Sequence, residues 1–255
     1  MQNSTSCSQP MTKKLASSQK KLAKAKNEKP KTENTCEFCS KSFSKATTLL
    51  SHICEKKRRW LNKDEKYVRM GFMVFRKFYE VSFRKKGDRT YTDFMDSPHY
   101  TGFVRFGRYL HEIQALNPEA FVEFLLKAEV PMKNWETEFV YEQFVRELAK
   151  KEPADAAFER NILLMKQWEN DTDEPWYDFF RKVNTNVATQ LIRAGRLSPW
   201  VLYTADSAFE LLERMTEEQM AMIEQYVTPV FWERKFAAQP EDVAFIRELL
   251  KEAGV

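Results

Sequence analysis

NPEAFVEFLLKAEV, residues 117–130, decides what kind of fold this chain takes. Asn117 can cap a helix, and Pro118 lacks only an N–H that the first turn leaves unpaired anyway, so asparagine then proline ahead of an apolar-periodic run is a helix start. The same arrangement recurs along the chain. Pro98, Pro153, Pro175, Pro199, Pro229 and Pro240 each open an apolar-periodic segment, and Ser97, Ser198 and Thr228 stand directly before three of them. Thr216 with Gln219 three residues later has the form of a capping box. The pattern predicts helices over 64–85, 98–115, 118–129, 134–151, 153–169, 175–193, 199–213, 216–226, 229–237 and 240–252. No segment alternates apolar and polar residues as a half-buried strand does. The expected fold is therefore mostly α, a multi-helix globular domain. Its proline spacing is too uneven for a repeat.

Composition agrees with packed helices. The 255 residues include twenty Phe and only six Gly. Gly is the residue that tight turns of sheet sandwiches need. No run of about eighteen apolar residues is present, so no membrane-spanning helix and no membrane partner are expected. The N-terminus is Lys-rich and has no apolar core of a secretory signal. Four cysteines in such a chain point to a reducing compartment, cytoplasmic or nucleoid-associated, where metal or free thiol is favoured over disulfide. Cys7 stands alone and is expected to be a free thiol. The net charge of +4 is unevenly placed. Residues 1–66 carry sixteen Lys and Arg against six Asp and Glu, and residues 67–111 carry nine against four, so the remainder is strongly acidic. A basic end on an acidic body fits contact with a polyanion, and equally a solvated tail that keeps the protein soluble. Residues 1–33, with eight lysines and no aromatic, read as a disordered basic tail.

Between tail and body lies CEFCSKSFSKATTLLSHICEKKRRW, residues 36–60. Cys36 and Cys39 are two residues apart, His52 follows after twelve more, and Cys54 comes one residue after that. Phe43 and Leu49 sit between the ligand pairs. At Cys36, Cys39, Phe43, Leu49 and His52, residues 34–56 resemble the C2H2 zinc-finger family. The resemblance implies a small ββα-type module in which Zn2+ is held by Cys36, Cys39, His52 and Cys54, with Phe43 and Leu49 packed over it. The departure is Cys54. Residues two apart on a helix point to roughly opposite sides, so His52 and Cys54 can share an ion only if the helix stops or tightens near Ile53.

In the family the helix reads bases from three positions, which here fall on Lys45, Thr48 and Ser51. The resemblance therefore implies nucleic acid, preferably DNA, as partner. Lys41, Lys45, Lys56, Lys57, Arg58 and Arg59 surround the module and can neutralise phosphates. The competing reading is a protein-binding finger, because Leu50 faces outward in the family pattern. After the finger, 57–63 reads as a basic linker and 64–255 as the α-helical domain, which may itself be read as a site for a protein partner. The Lys-rich tail, single finger and aromatic-rich helical domain together are similar in style to proteins of tailed bacteriophages. A viral origin would place the protein in the host cytoplasm.

In the body, residues 67–111 interleave rings and bases. Arg76, Arg84, Lys85 and Lys86 are candidate phosphate contacts, while Phe72, Phe75, Phe78 and Tyr79 suit either base stacking or, by their helical spacing, a core. His99, His111 and Glu112 could serve acid–base chemistry, and Asp171, Asp173, Glu174 and Asp178 a hard metal ion, but isolated structural histidines and an acidic first helical turn are the preferred explanations. Glycine-rich phosphate loops, nucleophile elbows and HExxH are absent from the sequence. The pattern leans away from an enzyme. The alternative is an enzyme acting on DNA or nucleotides from a site in the helical domain.

Overall fold

A computed structural model describes residues 34–83 and 89–255. Among these the chain forms fifteen α-helices and two short 3-10 turns, with no strand beyond one antiparallel bridge, Thr35 to Ser42. It divides into two compact units with the boundary after Leu61. No helix among the described residues is long and apolar enough to cross a membrane. The expected tail, residues 1–33, lies outside the described residues.

The first unit holds α1 (Ala46–Ser51) and α2 (Glu55–Leu61). The two strands of the ββα plan are reduced to the single bridge. Cys36 N–H donates to the Lys41 carbonyl at 2.9 Å, and Ser40 N–H to the Cys36 carbonyl at 2.8 Å, with Ser40 left-handed at φ 57°. That tight knuckle uses the backbone groups a longer ladder would pair. The stretch expected as a basic linker is instead largely helical, in α2.

The second unit begins with α3 (Lys66–Phe83), α4 (Tyr91–Asp96), α5 (Tyr100–Glu112), α6 (Pro118–Lys127) and α7 (Glu138–Lys151). α3 buries Val68, Gly71, Val74 and Phe75, a stripe at helical spacing, and α5 answers with Tyr100, Phe103, Phe106, Gly107 and Leu110. The two helices meet backbone to backbone. A Cβ on Gly107 would lie 2.4 Å from the Gly71 nitrogen and 2.5 Å from the Tyr67 carbonyl oxygen. Around this notch the rings of Phe75, Phe94 and Phe103 pack on one another, with Phe75 and Phe103 centroids 5.5 Å apart. Of the rings that suited base stacking, Phe75 is buried in this core and Phe72, Phe78 and Tyr79 are half-buried against it. Lys77 Nζ on α3 reaches Glu123 of α6 at 2.6 Å and ties the pair from the rim.

The C-terminal half adds α8 (Ala154–Thr172), α9 (Phe179–Lys182), α10 (Thr185–Arg193), α11 (Pro199–Leu202), α12 (Ala208–Arg214), α13 (Glu217–Val227), α14 (Pro229–Ala238) and α15 (Pro240–Glu252). A buried polar joint fixes α8. The fully buried Asn161 donates to the Ala157 carbonyl and accepts from Ser198 N–H at 3.0 Å. Arg160 pairs with Glu152 at 2.5 Å and donates to the Gly195 carbonyl at 2.7 Å. Lys235 lies over Trp200 and Trp232 and donates to the Lys150 and Glu152 carbonyls at the end of α7.

The expected cap chemistry is largely present. Asn117 accepts from Ala120 N–H, Ser198 from Trp200 N–H, and Thr216 with Gln219 closes a capping box. Ser97 differs: it accepts from His99 N–H, and α5 begins only at Tyr100. Thr228 turns its hydroxyl back to the Gln225 carbonyl and caps nothing. The helix expected over 175–193 is broken at Val183. Asn184 starts a new helix by accepting from Asn186 N–H, and Arg214 satisfies the freed Phe180 and Val183 carbonyls at 2.6 and 3.2 Å. The one expected over 199–213 breaks after Leu202, where Thr204 donates to the Trp200 carbonyl at 2.6 Å.

Candidate metal centre

The knuckle places Cys36 and Cys39 on one side of a small space, and the end of α1 delivers the other two ligands. α1 stops at Ser51, and His52 is already extended at φ −73°, ψ 120°. His52 N–H closes onto the Leu49 carbonyl at 3.1 Å, and the next helix starts at Glu55. Because the chain is extended there, side chains two apart are free of the opposing directions a helix would impose, and His52 and Cys54 reach the same space. The break that this spacing requires is where the sequence places it.

One ligand atom from each of Cys36, Cys39, His52 and Cys54 lies within 4.8 Å of all the others. Cys36 Sγ and Cys54 Sγ are 3.9 Å apart, and Cys39 Sγ is 3.3 Å from His52 Nε2. Around a tetrahedral zinc, bond lengths of about 2.3 Å to sulfur and 2.0 to 2.1 Å to nitrogen put sulfurs about 3.8 Å apart and sulfur about 3.6 Å from nitrogen. The Cys36–Cys54 and Cys39–His52 separations lie within about 0.3 Å of those values, and the whole cluster within 4.8 Å. Cys36 is buried, and the Phe43 ring packs against the imidazole at 4.7 Å.

The thiols are biased in opposite senses. The Cys39 backbone N–H, pointing at the Cys36 sulfur, holds that thiol below its ordinary value. At Cys39 the Lys41 backbone N–H pulls downward, but desolvation and the neighbouring Cys36 and Cys54 sulfurs push the thiol above its ordinary value. Three sulfurs this close resist ionising together unless a cation sits among them. Soft sulfur ligands with one imidazole suit zinc and exclude calcium or magnesium, which take oxygen shells. With four protein ligands the sphere is closed, as in a structural site.

The basic residues are distributed around this cluster. Lys41 lies 5.7 Å over the Phe43 ring, and Lys45 stands at the head of α1. Thr48 and Ser51 are exposed on α1, with the Ser51 hydroxyl donating to the Thr48 carbonyl at 3.2 Å. Lys56, Lys57, Arg58 and Arg59 are all on α2. Arg58 and Arg59 share Glu55 at 3.4 and 3.1 Å, and Lys57 Nζ donates to the His52 carbonyl at 3.2 Å. Arg76 is exposed on α3 in the helical unit, its guanidinium 6.0 Å from the Phe72 ring centre. Arg84, Lys85 and Lys86 lie outside the described residues.

The candidate catalytic groups do not assemble. His99 and His111 are exposed at opposite ends of α5, separated by about 18 Å at the rise of an α-helix. Of the acidic residues near 171–178, Glu174 and Asp178 are taken up by Lys182 at 2.5 and 3.1 Å, and Asp173 closes α8 in a left-handed turn. Sequence reasoning missed three parts of the centre. Cys54 Sγ accepts from Lys57 N–H at 3.4 Å, so it caps α2 as well as facing the cluster. Lys57 braces His52, and Trp60 packs on Phe38 of the knuckle with centroids 6.2 Å apart. The only sequence signal was the position of Cys54 three residues before Lys57, the spacing of an N-cap to its N3 partner. No protein-family model matches the chain, and no curated protein or solved structure matches it.

Proposed function

We propose that Cys36, Cys39, His52 and Cys54 bind one structural Zn2+, and that the finger so formed is a nucleic-acid-binding module, for DNA in preference, that anchors the helical domain of 64–255. The observation that carries the metal reading is the approach of four ligand atoms, three thiol sulfurs and one imidazole nitrogen, to within 4.8 Å of one another. Bound zinc would supply the folding free energy that a unit this small lacks in apolar core. The nucleic-acid reading is supported by charge: residues 34–61 carry six Lys and Arg against two Asp and Glu. Lys41, Lys45, Lys56, Lys57, Arg58 and Arg59 are the phosphate contacts on this reading, with Arg76, Arg84, Lys85 and Lys86 as a second set.

The test is duplex affinity of the full chain as a function of salt. About six phosphate contacts give a log–log slope near −5.4, which weakens binding roughly 1,800-fold between 50 and 200 mM salt. An affinity that stays flat over that range defeats the phosphate mechanism. A second reading, a protein-docking finger, is favoured by one observation: Leu50 is 78% and Ile53 56% exposed beside the cluster. Under that reading, replacing Lys45, Arg58 and Arg59 by Ala leaves function intact, and Leu50→Asp abolishes it.

A further inference from the structure

α2 has seven residues and buries none of them. A helix so short is unstable in water by itself, so its order comes from what holds it. Of the contacts that hold it, three end at the ligand cluster or at the knuckle that carries two of its cysteines. The first is the cap: Cys54 Sγ accepts from Lys57 N–H at 3.4 Å, and the Cys54 carbonyl from Arg58 N–H at 2.9 Å. The second is the strut from Lys57 Nζ to the His52 carbonyl at 3.2 Å. The third is Trp60 against Phe38, which lies between the two knuckle cysteines. Cys54 and His52 are the two ligands on the C-terminal side, so whatever fixes them fixes the first turn of α2. On α2 the Arg58 side chain is 63% exposed and that of Arg59 20%, and both bond Glu55.

We propose that the metal centre organises α2, so that Lys56, Arg58 and Arg59 form a surface for the phosphates of a nucleic acid only while the ion is bound. The inference rests on the zinc reading above. It makes the one-residue gap between His52 and Cys54 functional, because a ligand placed there serves also as an N-cap, which a ligand three to five residues along a continuous helix does not.

The experiment is amide hydrogen exchange on the full-length chain, zinc-loaded and then chelated under reducing conditions, with zinc stoichiometry measured on the same samples. Peptides covering 58–61 are expected to exchange at least tenfold faster after chelation, while peptides from 100–112 in the helical unit change less than twofold. Trp60→Ala is expected to keep one zinc per chain yet speed exchange at 58–61 several-fold. A fluorescein-labelled DNA duplex is expected to bind the chelated chain at least tenfold more weakly. A chain that binds no zinc sinks both the zinc reading and this inference. One zinc per chain with unchanged exchange at 58–61, or with unchanged duplex affinity on chelation, overturns the inference and leaves the zinc reading standing.

Discussion

Two glycines on α5 should respond in opposite directions to the same substitution. Gly107 faces α3, where an added Cβ would meet the Gly71 nitrogen at 2.4 Å, the Tyr67 carbonyl oxygen at 2.5 Å and the Gly71 Cα at 2.8 Å. All three are backbone atoms, so no side chain can rotate away. Ordinary contact begins near 3.4 Å, and the helices must therefore part by 1.0 Å, the difference between 3.4 and 2.4 Å. A gap of that size forfeits a quarter to a half of the dispersion energy along the seam. It also loosens the Phe75–Phe103 and Phe78–Phe103 ring pairs, at 5.5 and 5.6 Å, each worth about 0.5–1.5 kcal/mol beyond area burial. Against this, alanine gains about 1 kcal/mol of helix propensity over glycine. Overpacking of this kind costs about 1–3 kcal/mol or more. The expected net loss for Gly107→Ala is about 3 kcal/mol, a large share of the roughly 5–15 kcal/mol that holds a domain folded.

Gly102 lies on the same helix with nothing within 4 Å of a Cβ. There only the propensity remains, and Gly102→Ala, in the first turn of the helix, should stabilise by up to about 1 kcal/mol. Urea unfolding followed by tryptophan fluorescence reads both, since five of the six tryptophans lie beyond residue 61. The expected result is a midpoint well below wild type for Gly107→Ala and slightly above it for Gly102→Ala, with unchanged slopes. A Gly107→Ala chain within about 0.5 kcal/mol of wild type would mean that the close crossing of α3 and α5 does not exist.

Glu123→Gln should destabilise the helical unit by about 1 kcal/mol, a figure already discounted for partial exposure of the pair. Lys77 holds the Glu123 carboxyl below the ordinary carboxylate range, so this contribution is present above the unfolded value of about 4.3 and is lost as pH falls through the lower folded value. A pH series of thermal melts in which the wild-type advantage over Glu123→Gln persists undiminished at the acid end would refute the pair. Asn161→Ala leaves the buried Ser198 N–H without an acceptor and should cost about 2–3 kcal/mol in the same urea assay; a loss under 0.5 kcal/mol would show that the α8 joint is not a stabilising element.

How far the fold could be read from the sequence depended on whether its causes are local. Asn117–Pro118 and Thr216–Gln219 act within one turn, and the helices they start are where the pattern puts them. The break at Val183 depends on Arg214, thirty-one residues later, supplying donors to carbonyls that a continuous helix would have paired. No local pattern announces that. α4 did carry a local signal, the box of Thr90 with Asp93, but its six residues are too few for periodicity to show. The rings of 67–111 were ambiguous because helical spacing serves a core and a stacking face alike. What resolves them is the Gly71–Gly107 notch, whose two halves stand thirty-six residues apart. At the metal centre the ligands were legible by spacing and the break at His52 by geometry, whereas α2 was hidden because a polar seven-residue helix has no apolar face to betray it.

The early end of α1 also bears on what the finger can read. The resemblance to C2H2 fingers implies base contacts at Lys45, Thr48 and Ser51, and with them a recognition helix that continues past its first histidine. Here α1 is six residues, about 9 Å long at the helical rise, and turns extended at His52. Ser51, the last of the three, bonds its own hydroxyl back to the Thr48 carbonyl. Good bidentate contacts to a base edge are worth about 1–3 kcal/mol of discrimination; of the three positions Lys45 can donate to guanine, whereas Thr48 and Ser51 are permissive readers. On the nucleic-acid reading the remaining cations, Lys41 and the four on α2, would contact phosphates, which gives affinity without sequence information. The double variant Thr48→Ala with Ser51→Ala should therefore bind duplexes as wild type does, and Arg58→Ala with Arg59→Ala should weaken all sequences alike and flatten the salt dependence by about two units of slope. A tenfold preference among duplex sequences that disappears in the Thr48/Ser51 variant would show that α1 reads bases after all, and would move the contact surface from α2 back to α1.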